Sequence, residues 1–236
     1  MDYKAYEKGQ QGNSFWDIAD NELKQILLKY LKKKELFILN VGCGTGEDTK
    51  LIREYGSVYL LDIDKKALEL IPNKFSNLKI IANAEKIPCS AEYFDVVCMF
   101  GSIEHIQNDK KVIEEVTRVL KKGGLLLMTG PAYQWLYSSH DQALDHIKRY
   151  TKKDIQELTK SWFREVHFSY WNTILFIPVA ILKMKDKNKE PKLHNVQLPV
   201  FVDKIILSIL RLDNKAAKYK MHIPFGANFY AVYEKK

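Results

Sequence analysis

The chain is poor in the features that mark exported, membrane-spanning or disulfide-stapled proteins. Its 236 residues include three cysteines, Cys43, Cys89 and Cys98. An odd count with no C-x-x-C pair supports neither a disulfide framework nor a zinc knuckle, and it suits a reducing compartment. The start of the chain, Met1 to Asn13, is polar and lacks the apolar core of a secretory leader. The apolar run Ile174 to Leu182 is interrupted by Pro178 and falls far short of the roughly 20 residues that a spanning helix needs. Acids are also short: 29 Asp and Glu face 37 Lys and Arg, for a net charge of +8. That excess would suit nucleic acid, but the lysines sit at Lys32-Lys33-Lys34, across Lys183 to Lys189 and at Lys215 to Lys220, mostly interleaved with acids. This reads as solvated surface, with an anionic membrane or polyanionic substrate as the other use. The chain is expected to be cytoplasmic, possessing at most a peripheral membrane contact.

What is present starts with Phe37-Ile38-Leu39-Asn40-Val41-Gly42-Cys43-Gly44-Thr45-Gly46-Glu47-Asp48, followed by Val58-Tyr59-Leu60-Leu61-Asp62-Ile63-Asp64. An apolar run, a glycine turn, helix formers over Glu47 to Tyr55, a second apolar run and an acid describe a βαβ unit that binds a nucleoside. The glycines let the backbone turn and approach a ligand, and Asp62 at the strand tip can accept two ribose hydroxyls. A third dinucleotide glycine is missing, because position 47 is Glu, an anion where a pyrophosphate would sit. A ligand with an adenosine and a cationic tail tolerates that charge.

The spacing G-x-G-x-G after a strand resembles the first motif of the class I S-adenosylmethionine-dependent methyltransferases. Further matches come in order. Lys79 to Pro88 resembles the third strand and the loop that receives adenine, and Phe94 to Phe100 resembles the fourth strand with Ile103-Glu104-His105-Ile106 as the turn after it. Val112 to Leu120 reads as a helix, Lys121-Lys122-Gly123-Gly124 as its stop, and Leu125 to Thr129 as the fifth strand. The resemblance implies S-adenosylmethionine as cofactor, held by Trp16, Asn40, Gly42, Cys43, Gly44, Asp62, Ile63, Asn83, Ala84, Glu85, Met99 and Phe100. Two positions depart from the family, which usually has acids where this chain has Asn40 and Asn83. Each asparagine keeps an acceptor oxygen without its charge, which weakens the hydrogen bond by on the order of 1 kcal/mol.

Phe15-Trp16 opens an amphipathic helix over about residues 17–34. In the family such a helix covers the cofactor, so Trp16 closes over the methionine end or anchors the core. After the fifth strand, Pro131 to Tyr150 is dense in polar and aromatic residues and lies at the carboxyl edge where α/β sheets hold ligands. His140 with Asp141, or His146 with Asp145, supplies a carboxylate-held base for a hydroxyl acceptor. His140, Asp141 and His146 are therefore the catalytic candidates, and Arg149 with Tyr150 clamps a substrate unless Arg149 pairs with Asp145. The same histidines and acids could gather a divalent ion, but they show no recognisable ligand spacing, and no metal is expected. Thr151-Lys152-Lys153-Asp154 resembles a capping box opening a helix to Phe163, and a sixth strand is expected near Val166 to Tyr170.

About fifty residues then precede the last strand, Phe225 to Tyr233. Phe201 to Leu212 confines its polar residues to one stripe, so its apolar face is wider than a surface helix requires. It is a lid packed on the core or a greasy surface for a lipid-linked acceptor. The expected architecture is a single α/β domain, Rossmann-like, with a seven-stranded, mainly parallel sheet, an antiparallel last strand and helices on both faces. It divides into a helical cap (1–35), a cofactor-binding core (36–171), a helical lid (172–222) and the last strand (223–236). The expected reaction is O-methylation of a small-molecule, glycan or lipid-linked acceptor. A cofactor-binding regulator without turnover and an RNA methyltransferase are the alternatives. The latter is disfavoured because Phe100-Gly101-Ser102-Ile103 stands where a base-methylating Asn-Pro-Pro-Tyr motif would be.

Overall fold

The computed structural model describes residues 14–187, 189–190 and 199–236. The polar start of the chain and part of the insertion, residues 188 and 191–198, lie outside the described residues. Seven strands form one sheet in the order β3-β2-β1-β4-β5-β7-β6. They are β1 (Leu36–Val41), β2 (Gly56–Asp62), β3 (Leu78–Ile81), β4 (Phe94–Phe100), β5 (Leu120–Pro131), β6 (Phe163–Trp171) and β7 (Asn228–Lys235). The first five pair in parallel, and β7 runs antiparallel between β5 and β6. Central strands such as Ile38-Leu39 and Val96 to Met99 are apolar without alternation, and their side chains are buried, as a sheet covered on both faces requires. One core forms on each face, around Leu39, Met99 and Phe229 on one side and Ile38, Cys98 and Trp171 on the other. The strand order reverses between β1 and β4, which opens a crevice at their carboxyl ends.

The helices around the sheet are α1 (Phe15–Leu28), α2 (Thr49–Arg53), α3 (Lys65–Leu70), α4 (Asp109–Val119), α5 (Ser139–Ala143), α6 (Lys152–Thr159), α7 (Phe176–Asp186) and α8 (Val200–Lys218). α1 is capped by Ser14 and Asp17 and stops at Leu28, six residues before Lys34, because Lys32-Lys33-Lys34 offers no apolar face for another turn to bury. α2 is shorter than the expected helix over Glu47 to Tyr55. Gly123 and Gly124 do not stop α4. The chain passes directly from Val119 into β5, where buried Leu120 pairs with Phe94, and the glycines lie in a bulge that moves the register to Val96↔Leu125. The Thr151–Asp154 capping box is present, but α6 ends at Thr159 and Phe163 begins β6.

The described residues of the insertion form two helices with different anchors. In α7, Pro178 occupies the first turn, where a missing N–H leaves no bond unmade. In α8, Arg211 pairs with Glu22 at 2.7 Å, and Asn214 donates to the Ala19 carbonyl while accepting from the Trp171 indole, both at 2.9 Å. α8 therefore packs on α1 and β6, and it still leaves Val200, Phe201, Ile205 and Leu212 exposed. Among the described residues, no helix is long and apolar enough to cross a membrane.

His167 on β6 is buried, its Nε2 has no hydrogen-bond partner, and its ring lies 4.6 Å from that of His222. Burial, then His222, pushes its pKa down to about 4. The unfolded chain, with a histidine pKa near 6.5, binds more protons between those values, so stability is lost as pH falls through the window. Denaturant unfolding of His167→Phe should show about 2 kcal/mol less loss between pH 7 and pH 4.5 than the parent. Identical pH dependence would refute this.

Candidate active site

At the carboxyl ends of β1 and β2 the chain turns tightly. Gly42 has a φ of +68°, and a Cβ there would fall 2.6 Å from the Ser102 Cβ after β4. The Gly42 amide donates to the Leu61 carbonyl at 2.8 Å, and the Gly44 amide donates to Asp62 Oδ2 at 2.7 Å. The Asp64 amide takes Asp62 Oδ1 at 2.9 Å, so the acid expected on the ribose also shapes the glycine turn while keeping further lone pairs on each oxygen. Around this turn three buried polar atoms have no hydrogen-bond partner: Asn40 Nδ2, Thr49 Oγ1 and Ser102 Oγ. Such orphans are costly unless a ligand satisfies them, and they fit a polar cofactor seated in the crevice.

The remaining cofactor candidates are distributed along the same edge. Cys43 is buried in the turn, and burial pushes its thiol up. Ile63 is exposed beyond Asp62, as is Ile81, which is in register with Asp62 on β3. Asn83 Oδ1 accepts from the Glu85 amide at 2.8 Å, a local turn bond across Ala84. Met99 and Phe100 end β4, and their side chains are packed in the opposite cores. Trp16 packs on Trp171 with ring centroids 4.9 Å apart, the contact of an anchor. Asp48 turns to buried Lys24 at 2.7 Å, and Lys24 also pairs with Asp20.

The segment after β5 is organised differently from the expected pairs. Asp141 is fully buried. Its Oδ2 accepts from the Ser138 amide and hydroxyl, both at 2.9 Å, and from Lys183 of α7 at 2.9 Å. Its Oδ1 accepts from Arg149 Nε at 2.8 Å and faces His146 Nδ1 at 3.1 Å. Burial works against the Asp141 charge, yet His146, Arg149 and Lys183 hold the carboxyl well below the usual carboxylate range. The carboxylate that orients His146 and pairs with Arg149 is thus Asp141, where sequence proximity favours Asp145. His140 stands half-buried beside Asp141 in α5, and adjacent residues of a helix do not face each other. Arg149 and Tyr150 are buried supports, not a substrate clamp: Arg149 also donates to the Ala132 carbonyl at 2.9 Å, and the Tyr150 hydroxyl donates to the Ile103 carbonyl at 3.1 Å.

Three members of the site, Glu104, His105 and Lys183, escaped the sequence reading. Glu104, His105 and His146 each bring a ligand-capable atom within 4.8 Å of the others. The two imidazoles meet edge-on with centroids 4.8 Å apart. Glu104 is 4 % exposed and its Oε2 has no hydrogen-bond partner. Burial raises its carboxyl to about 7 against the pull of His146 and Arg149. Burial, then His146, lowers His105 to about 4. The available signal was positional, since an acid and a histidine directly follow β4 at the ligand edge. Lys183 is the third, pushed down to about 8 by burial and Arg149 despite Asp141.

Residues 39–128 match a family model described as a methyltransferase domain. An uncharacterized protein of Methanocaldococcus jannaschii is 34% identical over 127 residues, covering 53% of this chain and 47% of that protein. The ubiquinone/menaquinone biosynthesis C-methyltransferase UbiE of Vibrio vulnificus is 29% identical over 124 residues, covering 47% of this chain and 48% of the enzyme. The chain spans about half the length of these curated relatives. A SAM-dependent methyltransferase from Archaeoglobus fulgidus has the same fold, with a TM-score of 0.62, 18% identity and full coverage of both chains. The match over residues 39–128 agrees with the methyltransferase resemblance read from the sequence, and the solved structure shows the fold. The matched model ends at residue 128, so the Asp141 network lies beyond it.

Neutralising Asp141 leaves Arg149 and Lys183 buried against each other. Asp141→Asn should cost about 3–5 kcal/mol in urea unfolding, the cost of breaking a buried pair. Adding Lys183→Met should recover part of that loss, and strict additivity would show that the two do not interact.

Proposed function

We propose that the chain transfers a methyl group from S-adenosylmethionine to an oxygen of a hydroxylated acceptor at the edge formed by Glu104, His105 and His146. The observation that carries this reading is the convergence of an acid and two imidazoles beside the crevice, with Asp141 fixing one of them. For the cofactor, Asp62 suits the ribose, Asn40 and Ser102 bring unpartnered polar atoms, and exposed Ile63 and Ile81 suit the adenine face. When bound, the cofactor supplies a methyl group already activated on a sulfonium.

The protein's own task is placement and proton removal. The acceptor O–H gives its proton to the cluster, its oxygen forms the bond to the methyl carbon, and the electron pair of the broken C–S bond stays on sulfur. His146 is the proton acceptor of this reading. Asp141 is its positioning residue, and Arg149 and Lys183 in turn fix Asp141. For the acceptor, exposed Ile177, Ile181 and Leu182 on α7 adjoin Lys183, and the net charge is +8. Together they suit a lipid-linked saccharide and a peripheral contact with an anionic membrane. A second reading is favoured by the match to UbiE: ionising a ring hydroxyl would also activate a neighbouring carbon for C-methylation.

Methyl-labelled cofactor offered with lipid-linked saccharides or with hydroxylated quinones separates the readings, since mass spectrometry locates the new methyl on oxygen or carbon. We expect O-methyl product from the saccharides; label confined to RNA would overturn both. Asp62→Ala should weaken cofactor binding in calorimetry by at least about 1.5 kcal/mol, the value of a charged hydrogen-bond acceptor. His146→Ala should keep cofactor affinity and lower turnover by roughly 10²–10⁴-fold. Full turnover in that variant would remove His146 from the reaction.

A further inference from the structure

We infer that Glu104, His105 and His146 form a binding site for a divalent cation of the Zn²⁺ kind, with one coordination position left open toward the acceptor. The donor set is two imidazoles and one carboxylate, which suits a borderline transition cation. Three features of the structure support it independently of donor identity. First, the three ligand-capable atoms lie within 4.8 Å of one another. Ligands about 2.1 Å from a tetrahedral ion lie about 3.4 Å apart, so binding draws the three side chains closer together. Second, Glu104 is 4 % exposed and its Oε2 has no partner among the described residues, so the buried carboxylate oxygen lacks a neighbour that a cation would provide.

Third, both imidazoles are already held from behind. His146 Nδ1 faces Asp141 Oδ1 at 3.1 Å, and His105 Nδ1 faces the Asp145 carbonyl at 3.2 Å. An acceptor at each Nδ1 places the proton there and leaves Nε2 with its lone pair, the tautomer a metal needs. A carboxylate or carbonyl behind a ligating histidine is also the usual outer-shell support. Among the described residues three ligands converge, so a tetrahedral ion keeps one position open, the arrangement of catalytic and not structural sites. For its role the inference rests on the O-methylation reading: a cation there lowers the pKa of an acceptor hydroxyl, and His146 then acts as ligand where that reading makes it the base.

The test is direct binding and needs no acceptor. The full chain, freed of metal by chelation, is titrated with Zn²⁺ by calorimetry and with Co²⁺ by visible absorption. One equivalent should bind, and the Co²⁺ complex should show the d–d bands of a tetrahedral site. Glu104→Gln and His146→Ala should each weaken binding at least tenfold, whereas His222→Ala, at the other histidine pair, should not. Glu104→Gln is nearly equal in size to the parent residue, so it carries the test if His146→Ala fails to fold in a thermal melt. Absence of saturable binding, or binding indifferent to Glu104→Gln, would overturn the site. That failure would leave methyl transfer to oxygen untouched, just as a lack of any methyl transfer would leave the metal titration readable.

Discussion

A single buried carboxylate organises the segment that follows β5. Asp141 has no contact with water, so its charge persists only because Ser138, His146, Arg149 and Lys183 converge on its two oxygens. Three of these partners lie within residues 138–149 and the fourth, Lys183, on α7, and the carboxylate therefore specifies where each must lie. Arg149 extends the network to the Ala132 carbonyl at the end of β5. Lys183 ties α7 of the insertion to the post-β5 segment. The net energy of such a buried arrangement is modest, because desolvation consumes much of the attraction. Its value is specificity of placement, since each of these groups is costly to bury unpaired.

A second buried charge does the corresponding work at the glycine turn. Lys24 of α1 sits between Asp20 and Asp48, and Asp48 directly follows the glycine turn and Glu47. The N-terminal helix is thereby locked to the turn that shapes the crevice, and α8 is locked to that helix by Arg211 and Asn214. The insertion thus braces two regions: α8 is tied to the N-terminal helix, and α7 to the segment after β5.

The sheet was legible because its signals are local. Unbroken apolar runs bounded by glycine or by polar turns located β1, β2 and β4, and the strand-tip acid Asp62 fell where the βαβ pattern put it. Boundaries failed where a tertiary contact overrode a local preference. Gly123 and Gly124 look like a helix stop, but burial of Leu120 against Phe94 draws the strand back past them into a bulge. The candidate site was half legible. His146 and Asp141 stood in the segment that density of polar residues singled out, yet their pairing crosses a turn, and adjacency suggested Asp145 instead. Glu104 and His105 were read as part of a strand-end turn, because nothing local distinguishes an acid that will be buried from one that will be solvated. Lys183 lay forty residues away in a run of surface lysines, and only the fold reveals which lysine turns inward.

The position of β7 has a consequence for how the molecule comes into being. β5 and β6 do not touch as neighbours; both pair with β7, which lies between them. During synthesis β5 therefore waits through about a hundred residues for its partner, a separation whose loop-closure cost slows folding. Until then β5 presents an open, apolar edge, and β6 has no strand beside it. Such an edge invites pairing with another nascent chain. The crevice between β1 and β4 draws on strands that emerge first, whereas the sheet is completed only when the final strand enters the gap between β5 and β6. Order of emergence puts the first five strands ahead of the one that joins β6 to them.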